Sequence, residues 1–185
     1  TDRSRGLGDV YKRQTMDNIY KKYCQEKDIK VIVQCVPYYY KNIDGTFEKY
    51  IDGGMYPEYV TITPIEDYNY VNENPDVIVF QYPYDNYNSA GTTDPVFYSY
   101  NLASHTQKLI YIPYFRTDEI DENDMRAYTN MDAYVTMPGV VYADKVIVQS
   151  EEIRKLYIKK LTDFFGEESE DEWEDKIEAE DIGGI

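Results

Sequence analysis

At 185 residues the chain is long enough for one domain with a real hydrophobic core and too short for two domains of ordinary size. Its hydrophobic content of 42% suits a folded chain, but its formal charge of −16, with ten acids against the single Lys176 in 166–185, argues against a nucleic-acid binder, which needs clustered Lys and Arg. The apolar runs Ile29–Val36, Asp76–Phe80 and Lys145–Val148 are far below the roughly 18 residues that span a bilayer. Cys24, Cys35 and the lone His105 offer neither a disulfide framework nor a zinc site, so a reduced, cytoplasmic protein without metal is expected.

Residues 1–14 lack hydrophobic periodicity, and Asp9-Val10-Tyr11-Lys12-Arg13-Gln14 resembles the in-frame translation of a transposase adapter end from sequencing libraries. They are set aside as a non-native leader. On this reading the natural protein begins upstream of Thr15 and the chain is cut short at both ends. From Met16 to Lys27, apolar residues at helical spacing (Met16, Ile19, Tyr20, Tyr23) predict a helix, and Lys30–Val36 predicts a buried strand ending at Pro37. Asn42-Ile43-Asp44-Gly45 and Asp52-Gly53-Gly54 mark turns. Glu58–Thr63 reads as a short strand and Glu66–Asn74 as a weak helix closed by Pro75. Asp76–Gln81 and Lys108–Ile112 are apolar strands ending at Pro83 and Pro113. A helix is expected within Asp118–Tyr134 from Glu122, then a fourth strand, Ala143–Gln149. Ser150 caps a helix over Glu151–Phe165, and Glu167–Ala179 reads as one more helix with Trp173 and Ile177 on one face.

Strands without polar alternation, separated by helices, predict an α/β, doubly wound, mostly parallel sheet. The domain spans 15–165, followed by an acidic tail or truncated helical linker over 166–185.

Three strands stop at the same dipeptide: Pro37-Tyr38, Pro83-Tyr84 and Pro113-Tyr114. Proline cannot continue a ladder, and ligands of open parallel sheets lie beyond the carboxyl ends of the strands. These tyrosines therefore either rim a crevice for a polar ligand, such as a sugar, a polyol phosphate or a nucleotide, or simply cover the sheet in a chain with 22 of them. The polar loop from Tyr82 to Thr93 carries Tyr87 and one carboxylate, Asp85, which is either a general base or a turn former. Arg116 is the best single candidate for an anion contact, although most exposed arginines make none. His105 precedes a strand and reads as a surface histidine. No glycine-rich phosphate loop is present, and no cofactor is expected.

The wording of Lys108–Phe115 and Pro138–Glu151, with Val36-Pro-Tyr-Tyr, Tyr56-Pro-Glu-Tyr-Val60 and Tyr82-Pro-Tyr-Asp-Asn-Tyr87, resembles the amino-terminal domain of CDP-glycerol glycerophosphotransferase-like proteins, the teichoic-acid polymerase group, over about residues 15–180. The resemblance implies the amino-terminal half of a two-domain, GT-B-like architecture of Rossmann-like domains, with the nucleotide donor mostly on the other domain. It also implies transfer of glycerol phosphate, or a related alditol phosphate, from a CDP-activated donor to a cell-wall polymer precursor, with peripheral association at the inner face of the membrane. Tyr114 and Asp85 then stand as catalytic candidates, and Tyr38, Tyr84, Tyr87, Arg116 and Ser150 as substrate-binding ones. The family carries a His-Gly pair, its expected base, where this chain has Pro113-Tyr114. A tyrosine near its reference pKa of about 10 is a poor base at neutral pH, so a non-catalytic binding or scaffold domain is the alternative.

Overall fold

The computed structural model describes residues 16–50, 56–121 and 123–180. The expected turn at Asp52-Gly53-Gly54, the start of the helix at Glu122, the leader 1–14 and the last five residues lie outside them.

The centre is a parallel sheet of β3 (Val77–Phe80), β5 (Lys108–Tyr111), β6 (Lys145–Val148) and β7 (Ile177–Ala179), in that spatial order. Ile78 is in register with Leu109, Phe80 with Tyr111, Tyr111 with Val146, and Val146 with Ile177. Because this order never reverses, right-handed crossovers put every connecting helix on one face of the sheet. The side chains agree. Leu109, Tyr111, Val146, Val148 and Ile177 share one pleat face and are buried against Ile153, Leu156, Tyr157 and Leu161 of α7 (Glu151–Phe165), or against Tyr70 and Leu102 further along. Fully burying such a Leu or Ile stabilises by about 1.5–3 kcal/mol each. The opposite face carries Ile110 and Ile112, also buried. The strand-order reversal of a doubly wound sheet does not occur among the described strands. What the structure establishes is a mixed α/β domain with a four-stranded parallel sheet flanked by helices.

Several elements fall where the sequence placed them. A first helix, α1, covers 16–24. Ser150 caps α7, its Oγ accepting from the Ile153 amide at 3.2 Å. α4 (Met125–Asn130) begins at Asp124, whose carboxylate takes the Arg126 and Ala127 amides, and is followed by α5 (Asp132–Val135) and α6 (Pro138–Tyr142). The expected Glu66–Asn74 helix is a 3-10 turn at Ile65–Asp67 and then α2 (Tyr70–Glu73), closed by left-handed Asn74.

Three expectations change. Lys30–Val36 is not a buried strand: it is extended and half-buried, with a single parallel bridge from Val33 to Ile62, which is also all that forms in Glu58–Thr63. Gln34 instead donates to the Pro64 and Tyr68 carbonyls, and an apolar run alone does not separate a buried strand from such a segment. Tyr38 does not end a parallel strand. It opens β1 (Tyr38–Lys41), which pairs antiparallel with β2 (Phe47–Tyr50) and β4 (Gly91–Thr93) in a second, three-stranded sheet. The Asn42–Thr46 turn of that hairpin is the one the sequence marked.

Finally, the single helix expected over Glu167–Ala179 is a 3-10 turn, then α8 (Glu170–Lys176), then β7. Trp173 and Ile177 are both buried, as their spacing suggested, but Ile177 already belongs to the sheet. Most of the acidic tail, through residue 180, is thus part of the fold. Its acids Glu170, Asp171 and Glu172 fill the first turn of α8, where the helix dipole favours them. No helix among the described residues is long and apolar enough to cross a membrane.

Candidate functional site

The carboxyl ends of β3, β5, β6 and β7 share one edge, and the connections leaving it bring together most of the residues singled out above. Tyr84 follows β3 and Tyr114 follows β5, with ring centroids 6.5 Å apart. Tyr38 arrives from the other sheet, yet joins the same wall through Tyr82, its ring 5.6 Å from that of Tyr82, which lies 5.2 Å from Tyr84. The wall continues through Phe115 (5.1 Å from Tyr114) to Tyr134 and then to buried Tyr157. Gly91 makes the Tyr38 end possible: a β-carbon there would collide with the Tyr38 ring and hydroxyl, and the Gly91 carbonyl accepts from the Tyr82 hydroxyl.

Burial keeps Tyr38, Tyr82, Tyr84, Tyr134 and Tyr157 neutral. Burial pushes Tyr82 and Tyr84 well above the ordinary tyrosine range, helped at Tyr84 by its hydrogen bond with Tyr114. They can donate and accept hydrogen bonds and present ring faces, but they do not supply a phenolate base at neutral pH.

Asp85 is engaged in the fold. It is buried, sits in the left-handed region at φ 48°, and accepts from the Ser99 amide (2.9 Å) and the Ser99 hydroxyl (2.8 Å) at the start of α3 (Ser99–Ala103). Burial raises its carboxyl above the ordinary value, and the two Ser99 bonds oppose that rise. Its carbonyl takes the Thr92 hydroxyl, so both ends of the residue fasten the Tyr82–Thr93 loop. Tyr87 lies on the same loop and is 76% exposed. The Ser150 hydroxyl is occupied by the α7 cap. His105 is half-buried, its Nδ1 2.9 Å from the Asn101 carbonyl and its ring against Tyr70.

Arg116 stands where an anion contact was expected, just beyond Tyr114 on the edge. Its guanidinium lies 3.7 Å from the Glu180 carboxylate, which follows β7. Gln149, at the end of β6, fixes the approach: its amide accepts from the Thr117 N–H (2.9 Å) and donates to the Thr117 carbonyl (2.7 Å), as a neighbouring strand would. Gln149 and Glu180 were not read as site residues. Gln149 adjoins the Ser150 cap at a strand end, a position that could have flagged it, whereas Glu180 was hidden in a stretch that reads as helix. Beneath the Arg116–Glu180 pair is a cavity of about 20 Å³, bounded by Phe115, Tyr134, Gln149 and Tyr157. That is room for about one water, far below the roughly 300 Å³ of an ordinary ligand pocket.

A wider groove of about 580 Å³ runs between α7 and α8. Arg154, Lys155 and Lys159 on one side face Glu167, Glu170 and Glu174 on the other, and Arg154 is already paired with Glu151, so the groove offers no net attraction to an anion. Among the described residues no cluster of three or more His, Cys, Asp or Glu side chains could hold a metal ion.

The chain matches no protein-family model, no curated protein sequence and no solved structure.

Proposed function

We propose that the chain is the acceptor-side, Rossmann-like domain of a GT-B-like transferase that moves glycerol phosphate, or a related alditol phosphate, from a CDP-activated donor onto a polymer precursor. The observation that carries this reading is the carboxyl-edge cluster: one guanidinium, Arg116, beside a wall of tyrosines. A cation next to several phenol hydroxyls suits a ligand that bears a phosphate and a row of hydroxyls. In the reaction, the acceptor hydroxyl oxygen attacks the phosphorus bearing the glycerol, the bond to CMP breaks, CMP leaves, and the hydroxyl proton passes to a base. With Asp85 held by Ser99 and Tyr84 kept neutral by burial, this domain positions the acceptor, and the base comes from the domain that would carry the donor.

The same two facts favour a second reading, a binding or scaffold domain of this fold without catalysis. Titration with sn-glycerol 3-phosphate tests the feature both readings share, and CMP release from CDP-glycerol in the presence of a glycerol phosphate acceptor separates them. Arg116→Ala is expected to weaken binding at least tenfold, because among the described residues of the cluster it removes the only charge complementary to phosphate. Glu180→Gln is expected to tighten it about threefold, by freeing Arg116 from a partly exposed ion pair worth about 1 kcal/mol or less. Equal affinity in wild type, Arg116→Ala and Glu180→Gln would remove Arg116 from the site.

A further inference from the structure

Arg116 and Glu180 meet across the end of β6, one following β5 and the other following β7, with 3.7 Å between guanidinium and carboxylate. That is a Coulombic contact beyond hydrogen-bond reach. The Arg154–Glu151 and Lys160–Asp132 pairs close to 3.1 and 3.0 Å, so this one is loose by comparison. Nor does it set the main chain of either residue. The Gln149 amide clamps both the N–H and the carbonyl of Thr117, next to Arg116, and the Glu180 N–H extends the β7 ladder to the Val148 carbonyl at 2.7 Å. The Glu180 carboxylate can therefore turn away while both main chains stay in place. Both side chains also line the cavity of about 20 Å³, which holds about one water and leaves no room there for a phosphate group beside the carboxylate.

We infer that the Glu180 carboxylate is a built-in competitor, an autoinhibitory contact that occupies the anion position at Arg116 until an anionic ligand displaces it. The inference rests on the proposed anion contact at Arg116 and adds how that contact is regulated. A tethered carboxylate acts at a high effective concentration, so even a loose pair lowers the affinity of every ligand that needs Arg116. Displacement and simple repulsion leave different signatures. A competitor that must leave weakens a monoanion and a dianion by the same factor, because the open fraction of the free protein is the same for both. A bystander that stays in place repels a dianion about twice as strongly as a monoanion.

The test titrates wild type, Glu180→Gln and Arg116→Ala at about pH 8 with sn-glycerol 3-phosphate, a dianion there, and with glycerate, a monoanion. Glu180→Gln is expected to bind both ligands about threefold more tightly, by the same factor for each, and Arg116→Ala to lose both. The carboxyl carbon resonance of Glu180 in wild type is expected to move, at saturation with either ligand, to its position in Arg116→Ala. A gain clearly larger for glycerol phosphate than for glycerate would make Glu180 a bystander and overturn the inference while leaving Arg116 standing. Unchanged or weaker binding by Glu180→Gln would make Glu180 a support for Arg116 and overturn it as well. Failure of both wild type and Glu180→Gln to bind either ligand would overturn the inference together with the reading beneath it.

Discussion

Replacing Gly139 by alanine is expected to destabilise the domain by about 3 kcal/mol, against the usual trend for helices. In an exposed helix alanine is favoured over glycine by about 1 kcal/mol. Gly139, however, lies in the first turn of α6, directly on the chain leaving β3. A β-carbon there would come within 2.5 Å of the Pro83 Cα and 2.8 Å of its Cβ, while the Gly139 amide donates to the Pro83 carbonyl at 2.8 Å. Overpacking of this kind costs about 1–3 kcal/mol, and a backbone neighbour with little freedom to yield puts this case at the upper end. Pro83 carries Tyr82 and Tyr84, so the displaced segment is the aromatic wall itself. Urea unfolding of the two proteins checks the prediction. An unchanged midpoint would mean that α6 does not bear on the end of β3.

Asp85 gives the second large effect, with a sign that separates structure from chemistry. Asp85→Ala leaves the buried Ser99 amide and hydroxyl unpaired and puts alanine at φ 48°, costing about 3 kcal/mol in all. Asp85→Asn keeps an acceptor for the amide and a donor for the hydroxyl, tolerates the left-handed backbone, and removes a desolvated charge. It is expected to lie within about 1 kcal/mol of wild type.

The pH dependence follows from the raised carboxyl pKa. Between its ordinary value of 3.8 and its higher folded value, the native state binds more protons than the unfolded state. The contribution of Asp85 is then fully present below about pH 3.8 and is lost as the pH rises through the folded value. Asp85→Asn carries no such loss, so its stability relative to wild type rises over that window and is level above it. Unfolding midpoints at pH 4 and pH 7 measure this. If Asp85→Asn costs as much as Asp85→Ala at pH 7, the negative charge is needed after all, and Asp85 returns as a functional carboxylate.

What the sequence could convey depended on how local each signal was. β3, β5, β6 and α7 were legible because each is a continuous apolar run or a capped periodic one, bounded by Pro83, Pro113 and Ser150. The second sheet was not, because β1 and β4 are paired across about fifty residues of chain and β4 is only Gly91-Thr92-Thr93, a segment indistinguishable from loop. β7 was concealed by its neighbour: Trp173 and Ile177 have helical spacing, and both are buried, but β-branched Ile177 enters the sheet beside Val146.

At the site, the Pro-Tyr repeats located Tyr84 and Tyr114 on one edge, since proline ends neighbouring strands at a similar level. They misplaced Tyr38, which reaches the wall from the second, antiparallel sheet through its contact with Tyr82. Arg116 follows Tyr114 at that edge, where it pairs with Glu180. Glu180 and Gln149 were not legible, because an ion pair and an amide bridge between the ends of different strands depend on register. Asp85, read either as a base or as a turn former, is found buried and holding Ser99, which favours the structural role.

The central claim is that the carboxyl edge of the parallel sheet binds a phosphorylated polyol through Arg116 and the tyrosine wall. The most direct measurement is a titration of the isotopically labelled chain with sn-glycerol 3-phosphate, followed by amide resonances. The account predicts saturable shifts at Tyr114, Phe115, Thr117 and Gln149, absent in Arg116→Ala. No saturable shift, or shifts confined to the groove between α7 and α8, would contradict it.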